Sequence, residues 1–193
     1  MRALLEPYLI APVPEAVYGE LETYLDLLLR WNARTNLTAI RDREGIIQRH
    51  FGESLFLAQL LPDFQTLLDF GSGAGLPGIP VQLIHPQSIV TLAESQGKKA
   101  AFLREAVRTL HLPSTVWAQR VEAMPPQTFD VVTLRAVDNM EAAITAAIPR
   151  ISAAGTLAVF SGETVANLPQ DFHWDSHPIP NSPGKVHIGR KTA

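Results

Sequence analysis

The sequence predicts an α/β protein in which a mostly parallel sheet, ending in an antiparallel hairpin, follows an N-terminal helical extension. Three observations predict this class. Apolar residues recur at helical spacing through the first sixty residues, short apolar segments then alternate with helical stretches, and a turn-rich segment joins the last two strand candidates. Nearly continuous apolar strands of this kind are typical of a parallel sheet that is covered on both faces.

The N-terminal helical extension is expected to comprise residues 1–62 and to contain two helices. The first follows Pro14, and its apolar positions recur every three or four residues, at Val17, Leu21, Tyr24, Leu28 and Trp31. The second lies between Asp42, which is suited to cap a helix, and Pro62, which prevents its continuation. The remainder, residues 63–193, is expected to form the α/β domain.

Strand and helix candidates alternate through the α/β domain. The strand candidates are short apolar segments with β-branched residues, at 66–70, 88–93, 114–118, 129–134 and 155–160. The helix candidates between them have helical spacing and lie at 79–84, 98–110 and 138–148. Two further strand candidates, 171–177 and 185–190, are joined by a segment with three prolines and a glycine, which favours an antiparallel hairpin.

The composition excludes several functional classes. With 193 residues, of which 46% are hydrophobic and 18% charged, the chain has the make-up of one folded domain. The absence of cysteine excludes disulfide frameworks, cysteine-based metal sites and a thiol nucleophile, and we expect no metal. The formal net charge of −3, taken alone, argues against a nucleic-acid partner.

The sequence contains no segment typical of secretion or membrane insertion. Glu6 and Pro7 interrupt the apolar residues near the start, so they do not match the core of a signal peptide. No run approaches the ~18 uninterrupted apolar residues of a membrane-spanning helix. We therefore expect a cytoplasmic protein without a membrane partner.

A glycine-rich segment after the first strand is the most informative part of the sequence. Asp69 ends the strand core, and Gly71, Gly73 and Gly75 alternate with small residues before a helix begins. Glycines let the backbone approach a ligand closely, and the N–H groups that start a helix favour a negative ligand group. Glu94 ends the next strand, about twenty residues further on, where an acid can accept both hydroxyls of an adenosine ribose.

Three interpretations of this loop are open from the residues alone. A tight strand-to-helix turn without a ligand is the simplest, and a dinucleotide site is the second. The spacing G-x-G-x-G differs from the dinucleotide pattern G-x-G-x-x-G, and Asp69 would repel a pyrophosphate but could hold a cationic ammonium group. A ligand that joins an amino-acid head to an adenosine fits better, and S-adenosylmethionine is such a ligand.

The segment from Asp69 to Gly75 resembles motif I of class I (Rossmann-like) methyltransferases. More specifically, the chain resembles the RsmG or GidB family of bacterial guanine-N7 methyltransferases of small-subunit ribosomal RNA, from about residue 20 to residue 162. The matching stretches are Trp31-Asn32, Asn36-Leu37-Thr38, Arg49-His50-Phe51, Glu53-Ser54-Leu55, Gly71 to Pro80, Glu94-Ser95, Lys98-Lys99, Phe102-Leu103, Arg120-Val121-Glu122 and Phe129-Asp130 to Arg135-Ala136.

The resemblance implies a methyltransferase domain in residues 63–193 that uses S-adenosylmethionine. Gly71 and Leu76 would line the cofactor pocket, Glu94 would bind the ribose, and Val121 and Glu122 would flank the adenine. Arg135 would lie beside the methionine end or the incoming base. With the loop residues, the expected cofactor-binding set is Asp69, Gly71, Gly73, Gly75, Leu76, Glu94, Val121, Glu122 and Arg135.

Three positions depart from the family pattern, and the ligand-binding role of a fourth residue, Arg135, has a purely structural alternative. Glu94 stands in place of the usual Asp, Leu134 where a Ser commonly precedes the Arg, and Ser161 where a Lys often precedes the Gly. We therefore assign no base or phosphate contact at position 161. For Arg135, the structural alternative is an ion pair at a helix edge with Asp138 or Glu141.

The activity that the resemblance implies is methyl transfer to N7 of a guanine in the 530 loop of 16S ribosomal RNA. Guanine N7 carries a lone pair and no proton, so the reaction needs alignment and desolvation more than a general base, and we assign no general acid or base. The lack of cysteine excludes a pyrimidine-C5 mechanism. A methyltransferase with a protein or small-molecule acceptor, a non-catalytic ribosome-assembly factor and a nicotinamide oxidoreductase are the alternatives.

Two segments are locally basic, and they favour an RNA partner although the net charge of the whole chain argues against one. Residues 30–50 contain five arginines and two acids, and residues 98–108 contain four basic residues and one acid. Lysine and arginine side chains of this kind position phosphates. We expect a monomer that contacts 16S ribosomal RNA in the small subunit through Arg34, Arg41, Arg49, His50, Lys98 and Lys99.

Overall fold

The sheet of the computed structural model, which describes residues 1–162 and 168–192, has seven strands in the order β3-β2-β1-β4-β5-β7-β6. The strands are β1 Thr66–Phe70, β2 Ile89–Ala93, β3 Thr115–Trp117, β4 Phe129–Leu134, β5 Ile151–Ser161, β6 Phe172–Pro178 and β7 Lys185–Lys191. The first five strands pair in parallel, and β7 is antiparallel to both β5 and β6. The α/β class and the C-terminal antiparallel hairpin are confirmed.

Helices cover the sheet and precede it. They are α1 Arg2–Leu5, α2 Glu15–Thr35, α3 Arg43–Gly45, α4 Glu53–Leu60, α5 Gly78–Ile84, α6 Gly97–Thr109 and α7 Met140–Ala147, with short 3-10 helices at Glu6–Tyr8, Val121–Ala123 and Ile148–Arg150. A π-helical segment, Ile46–Gly52, joins α3 to α4. The predicted second helix of the extension is therefore α3, this segment and α4 in succession, and the Asp42 carboxylate caps it by accepting the Gly45 N–H at 2.7 Å.

One apolar core contains residues of both the helical extension and the sheet. Val17, Leu21 and Leu28 of α2 are almost completely buried, as their helical spacing predicts. The Tyr24 ring stacks on Phe51 of the π-helical segment at 5.1 Å and on Phe102 of α6 at 6.4 Å between ring centroids. The extension thus packs directly against helices of the α/β domain, and a boundary at residue 62 stays a prediction.

The sheet topology fixes where a ligand site can form. The strand order reverses between β1 and β4, because β2 and β3 lie on one side of β1 and β4 and β5 on the other. In open α/β sheets, ligands bind beyond the carboxyl ends of the strands at such a reversal. The glycine loop after β1, Glu94 after β2 and Arg135 after β4 all follow strands that meet at this edge.

Candidate cofactor and acceptor site

The backbone of the glycine loop has a conformation that favours glycine. Gly71, Gly73 and Gly75 have φ values of +73°, +56° and +84°, in the left-handed region. A Cβ at Gly75 would lie 2.5 Å from the Ile79 side chain, whereas the nearest atom to a Cβ at Gly73 is 3.8 Å away. Gly75 is therefore needed for packing, while the backbone at Gly73 stays open to the close approach of a ligand.

Asp69 is buried beneath the glycine loop and holds it in place. One carboxylate oxygen accepts the Gly78 N–H at 3.1 Å, and the other accepts the Thr133 hydroxyl at 2.7 Å. Burial raises the pKa of the Asp69 carboxyl, and these hydrogen bonds act in the opposite direction. The carboxylate fixes the start of α5 against β4, and its expected contact with a ligand ammonium stays a prediction.

Glu94 is also buried, and its carboxylate connects the second strand to the glycine loop. One oxygen accepts the Gly73 N–H at 3.1 Å and the other accepts the Gln96 N–H at 2.7 Å. Each carboxylate oxygen can accept a further hydrogen bond, so these contacts leave room for ribose hydroxyls. The structure thereby brings the predicted ribose acid and the middle glycine of the loop into direct contact.

The remaining residues of the expected cofactor set differ in exposure. Val121 is buried in one apolar cluster with Ala93, the last residue of β2, while Glu122 beside it is exposed. The Arg150 guanidinium donates to the Val121 carbonyl at 3.0 Å and so anchors this short helix. Leu76 is buried in the core just after the loop. Val121 thus belongs to the same apolar cluster as the end of β2, and its contact with an adenine stays a prediction.

Arg135 makes its ion pair with the helical extension. Its Nη2 donates to the Glu53 carboxylate and to the Arg49 carbonyl, both at 2.6 Å, and its Nη1 donates to the Ser54 hydroxyl at 3.1 Å. The two charged side chains are only 12% and 7% exposed. The structural alternative for Arg135, an ion pair with Asp138 or Glu141, is wrong. The carboxylate that pairs with Arg135 belongs to Glu53, 82 residues away in the chain.

The π-helical segment explains how backbone carbonyls come to face Arg135. The Glu53 N–H bonds to the His50 carbonyl, and the carbonyl of Arg49 accepts the Arg135 guanidinium. Short π-helical segments within helices frequently mark functional sites, because they redirect backbone and side chains locally. The sequence carried no signal for this segment, which lies inside an otherwise regular apolar pattern.

His50 lies beside two arginines and is neutral. Its Nε2 lies 2.6 Å from the Thr38 hydroxyl, and its Nδ1 has no hydrogen-bond partner among the described residues. Burial, followed by the positive charges of Arg135 and Arg49, lowers the pKa of His50 to about 3. The imidazole therefore cannot carry a proton at neutral pH.

A cleft of about 510 Å³ opens beside Arg135. Its lining comes from four parts of the chain, within residues 49–53, 135–144, 159–162 and 179–184, and from Leu168. Most of these side chains are apolar, and the polar ones include Arg49, His50, Glu53 and Arg135. A volume in this range, with an apolar lining and a few polar groups, is typical of a small-molecule or nucleotide site.

Comparison with known proteins identifies the family to which this sequence belongs. The family model described as "GidB: rRNA small subunit methyltransferase G" matches residues 18–170. The chain belongs to this family. It is 40% identical over 161 residues to the ribosomal RNA small subunit methyltransferase G of Chloroflexus aggregans, over 78% of this chain and 66% of that protein. It is 39% identical over 196 residues to that of Xanthomonas euvesicatoria, over 96% of this chain and 92% of that protein.

Solved structures confirm the class I methyltransferase fold that the resemblance implied. A methyltransferase from Geobacter sulfurreducens has a TM-score of 0.62 at 12% identity, over 95% of this chain and 99% of that one. The precorrin-6y C5,15-methyltransferase of Geobacter metallireducens has a TM-score of 0.55 at 14% identity, over 76% and 89%. At such low identity, these likenesses describe the fold alone.

In this member of the methyltransferase G family, the cleft is lined by Ser161, one of the positions that depart from the expected family pattern. Its hydroxyl lies 2.8 Å from Nε2 of His187, whose Nδ1 lies 2.7 Å from the Ser176 hydroxyl. His187 is buried, and burial together with Lys185 lowers its pKa, so the ring is held neutral between two hydroxyls. No pattern in the sequence connects these three residues.

The residues expected to contact RNA lie in several elements of the structure. Arg49 and His50 line the cleft, and Arg41 is exposed with its guanidinium donating to the Asn36 side chain at 2.7 Å. Arg34 lines a different groove, beside Trp31 and Glu105. The lysines at the start of α6, Lys98 and Lys99, are exposed and half-buried respectively. Contact of each with RNA stays a prediction.

Some residues that shape the site had no assigned role in the sequence. Glu53, Ser54, Thr133 and Phe160 contact expected site residues from distant positions in the chain. Tyr24 contacts the glycine loop through the Ala74 carbonyl. Their periodic or apolar settings indicate packing, so only the three-dimensional contacts reveal them. Within residues 1–162 and 168–192, no group of three or more metal-ligating side chains occurs, and no helix there is long and apolar enough to cross a membrane.

Proposed function

We propose that this protein transfers the methyl group of S-adenosylmethionine to N7 of a guanine in the 530 loop of 16S ribosomal RNA, as a monomer in the cytoplasm. The observation that carries the proposal is the apolar cleft beside Arg135, at the same sheet edge as the glycine loop. Membership of the methyltransferase G family supports ribosomal RNA as the substrate class.

The residues around the glycine loop fit the proposed cofactor. The open backbone at Gly73 suits a closely bound ligand, and Glu94 has the position and lone pairs to accept ribose hydroxyls. Asp69, Gly71, Gly75, Leu76, Val121, Glu122 and Arg135 complete the proposed binding set. When bound, S-adenosylmethionine supplies an electrophilic methyl group on a sulfonium.

The cleft suits an acceptor atom that has no proton to lose. Met140, Ile144, Val159 and Phe160 give it apolar walls, which favour desolvation of the reacting nitrogen. The neutral His50 is a poor base, with its pKa lowered to about 3. Alignment and desolvation of guanine N7 are therefore the contributions that these side chains can make.

The guanine would enter the cleft after leaving its stack. Enzymes that modify a base commonly extrude it into a pocket, and unpaired loop nucleotides cost least to extrude. Arg49 at the mouth of the cleft is exposed and is placed to contact the flanking phosphates. Arg41, Lys98 and Lys99 are proposed to add backbone contacts around it.

The test is mass spectrometry of 16S ribosomal RNA from a strain that lacks the gene. The proposal predicts that one guanine of the 530 loop loses its N7 methyl group and regains it when the gene is restored. An unchanged modification would refute the assignment. Labelled methyl groups that survive complete RNase digestion would favour a protein or small-molecule acceptor, and absence of S-adenosylmethionine binding by calorimetry would favour a non-catalytic role.

A further inference from the structure

We propose that Glu53 is a positioning residue that holds and neutralises Arg135, so that the cleft tolerates the positive charge that forms on the acceptor base. The inference rests on the proposed function. It assigns a catalytic consequence to the helical extension, which contributes no residue to the glycine loop itself.

The proposed reaction moves a positive charge onto the acceptor base. The lone pair of guanine N7 forms the new bond to the methyl carbon, the carbon–sulfur bonding pair stays on sulfur, and no proton moves. The positive charge therefore passes from the sulfonium to the guanine ring. In a cleft with apolar walls, a fixed and largely buried cation beside that ring would raise the barrier, because charges interact more strongly at lower effective dielectric.

Arg135 is such a cation, and the carboxylate of Glu53 balances its charge from one side. The Glu53 carboxylate lies 2.6 Å from Arg135 Nη2, and both side chains line the cleft. Asp69 also acts on Arg135 electrostatically, but its carboxylate is bound to the glycine loop and β4. Glu53 is the acid that contacts the guanidinium among the residues the structure describes.

The same contacts limit what Arg135 can bind. Nη2 donates to Glu53 and the Arg49 carbonyl, and Nη1 donates to the Ser54 hydroxyl. A bidentate clamp on a phosphate or carboxylate needs two parallel N–H groups on one edge of the guanidinium, and these are already engaged. The guanidinium carbon lies 4.7 Å from the centroid of the Phe160 ring. Arg135 therefore contributes the flat face of its guanidinium to the wall of the cleft.

Stability alone is a weak reason for this pair. A buried ion pair can often be replaced by apolar residues of similar volume at no cost, because desolvation of the two charges offsets their attraction. Both charged side chains lie on the wall of the cleft, and the extension also supplies a redirected carbonyl and a serine hydroxyl to the same guanidinium. This arrangement sets the position and the charge of the cleft wall.

A double-mutant cycle tests the proposal, using Glu53→Gln, Arg135→Gln and the double variant. Methyl transfer to 30S subunits is measured below the melting temperature of every variant and is expressed per S-adenosylmethionine-binding molecule, counted by titration. We expect Glu53→Gln to lower kcat by about tenfold to a hundredfold, with little change in KM for the cofactor. We expect the double variant to recover kcat several-fold relative to Glu53→Gln, because it removes the uncompensated cation.

A control and a second measurement separate this role from a structural one. Glu22→Gln removes a carboxylate of the same extension that pairs with Arg43 on the surface at 2.7 Å, and it should leave kcat unchanged. Glu53→Asp should retain more activity than Glu53→Gln, because it keeps the charge. Binding of a 530-loop RNA that carries 7-methylguanine, relative to the unmodified RNA, should weaken in Glu53→Gln, because the modified base is cationic.

The outcomes distinguish this inference from the proposed function. If the wild-type protein methylates 30S subunits but Glu53→Gln keeps its kcat, or the double variant is no faster than Glu53→Gln, the inference is overturned and the function stands. If Glu53→Gln binds both RNAs in the wild-type ratio, the inference is likewise overturned. A wild-type protein that binds the cofactor but methylates no guanine N7 overturns both.

Discussion

The hydroxyl of Tyr24, in helix α2 of the extension, donates a hydrogen bond to the carbonyl of Ala74 in the glycine loop. Tyr24 is fully buried, and its ring stacks on Phe51 and Phe102. Burial is the main cause that raises the pKa of this phenol well above its usual value, so the hydroxyl stays a hydrogen-bond donor. The extension is thereby tied to the loop proposed to bind the cofactor.

Tyr24→Phe should weaken both the fold and the cofactor site. The variant keeps the ring packing but leaves the Ala74 carbonyl without its donor, which costs about 1–3 kcal/mol for a buried polar group. Urea unfolding measures the stability, and calorimetry with S-adenosylmethionine measures the affinity, which we expect to fall. Tyr18→Phe, on the same helix but half-buried, is the control and should change neither. Equal affinities for Tyr24→Phe and wild type would contradict this link.

Gly75→Ala should disrupt the glycine loop more than an ordinary surface change. The added methyl group would lie 2.5 Å from Ile79, at a φ of +84° that costs roughly 1–3 kcal/mol for a side chain other than glycine. We expect lower stability and lost cofactor binding. Gly19→Ala is the matched control, since nothing lies within 4 Å of its added Cβ, and in the second turn of α2 it should stabilise by up to about 1 kcal/mol.

The neutral His50 should make the protein less stable as the pH falls. Its pKa is about 3 in the folded protein and about 6.5 when unfolded, so only the unfolded chain takes up this proton between those values. The free energy of unfolding should therefore fall by about 1.4 kcal/mol per pH unit below pH 6.5 through this group.

Urea unfolding between pH 7 and pH 4 measures this slope. His50→Gln should reduce the slope by close to one proton. An identical slope for His50→Gln and wild type would show that His50 is accessible to protons in the folded state.

The Ser161–His187 contact should contribute to stability without affecting the cofactor. Ser161→Ala leaves Nε2 of the buried His187 without its partner. We expect the free energy of unfolding, measured with urea, to fall by about 1–3 kcal/mol, and the affinity for S-adenosylmethionine to stay unchanged. Ser152→Ala, nearer the start of the same strand, is the control and should cost less than about 0.5 kcal/mol. If Ser161→Ala leaves the free energy of unfolding unchanged, the Ser161 hydroxyl does not stabilise the protein through His187.

Local pattern predicts the parallel part of this fold well. Strands β1 and β4 begin and end at the residues the sequence indicated, because continuous apolar residues bounded by turn residues define a strand that is covered on both faces. Strand β5 starts at Ile151 rather than at residue 155. Its first residue pairs with Phe129 of β4 across a register shift, and that pairing depends on the neighbouring strand rather than on its own sequence.

The candidate site is predictable only in part, for a physical reason. The glycine loop and Glu94 are visible because backbone conformation and strand ends follow local rules. The partners of Arg135 and Asp69 are not, since Glu53 and Thr133 lie far away in sequence, and the family-like stretches that contain them do not indicate what they contact. The π-helical segment also depends on tertiary contacts, and no local pattern predicts it.

The most direct test is methyl transfer by the purified protein. The protein is incubated with labelled S-adenosylmethionine and either 30S subunits, 70S ribosomes or naked 16S ribosomal RNA from a strain that lacks the gene, and the modified nucleoside is then mapped. We predict one labelled 7-methylguanine in the 530 loop, which Gly73→Asp abolishes by blocking the open backbone of the loop. No transfer to any of the three substrates, or label on another base or position, would contradict the proposed function.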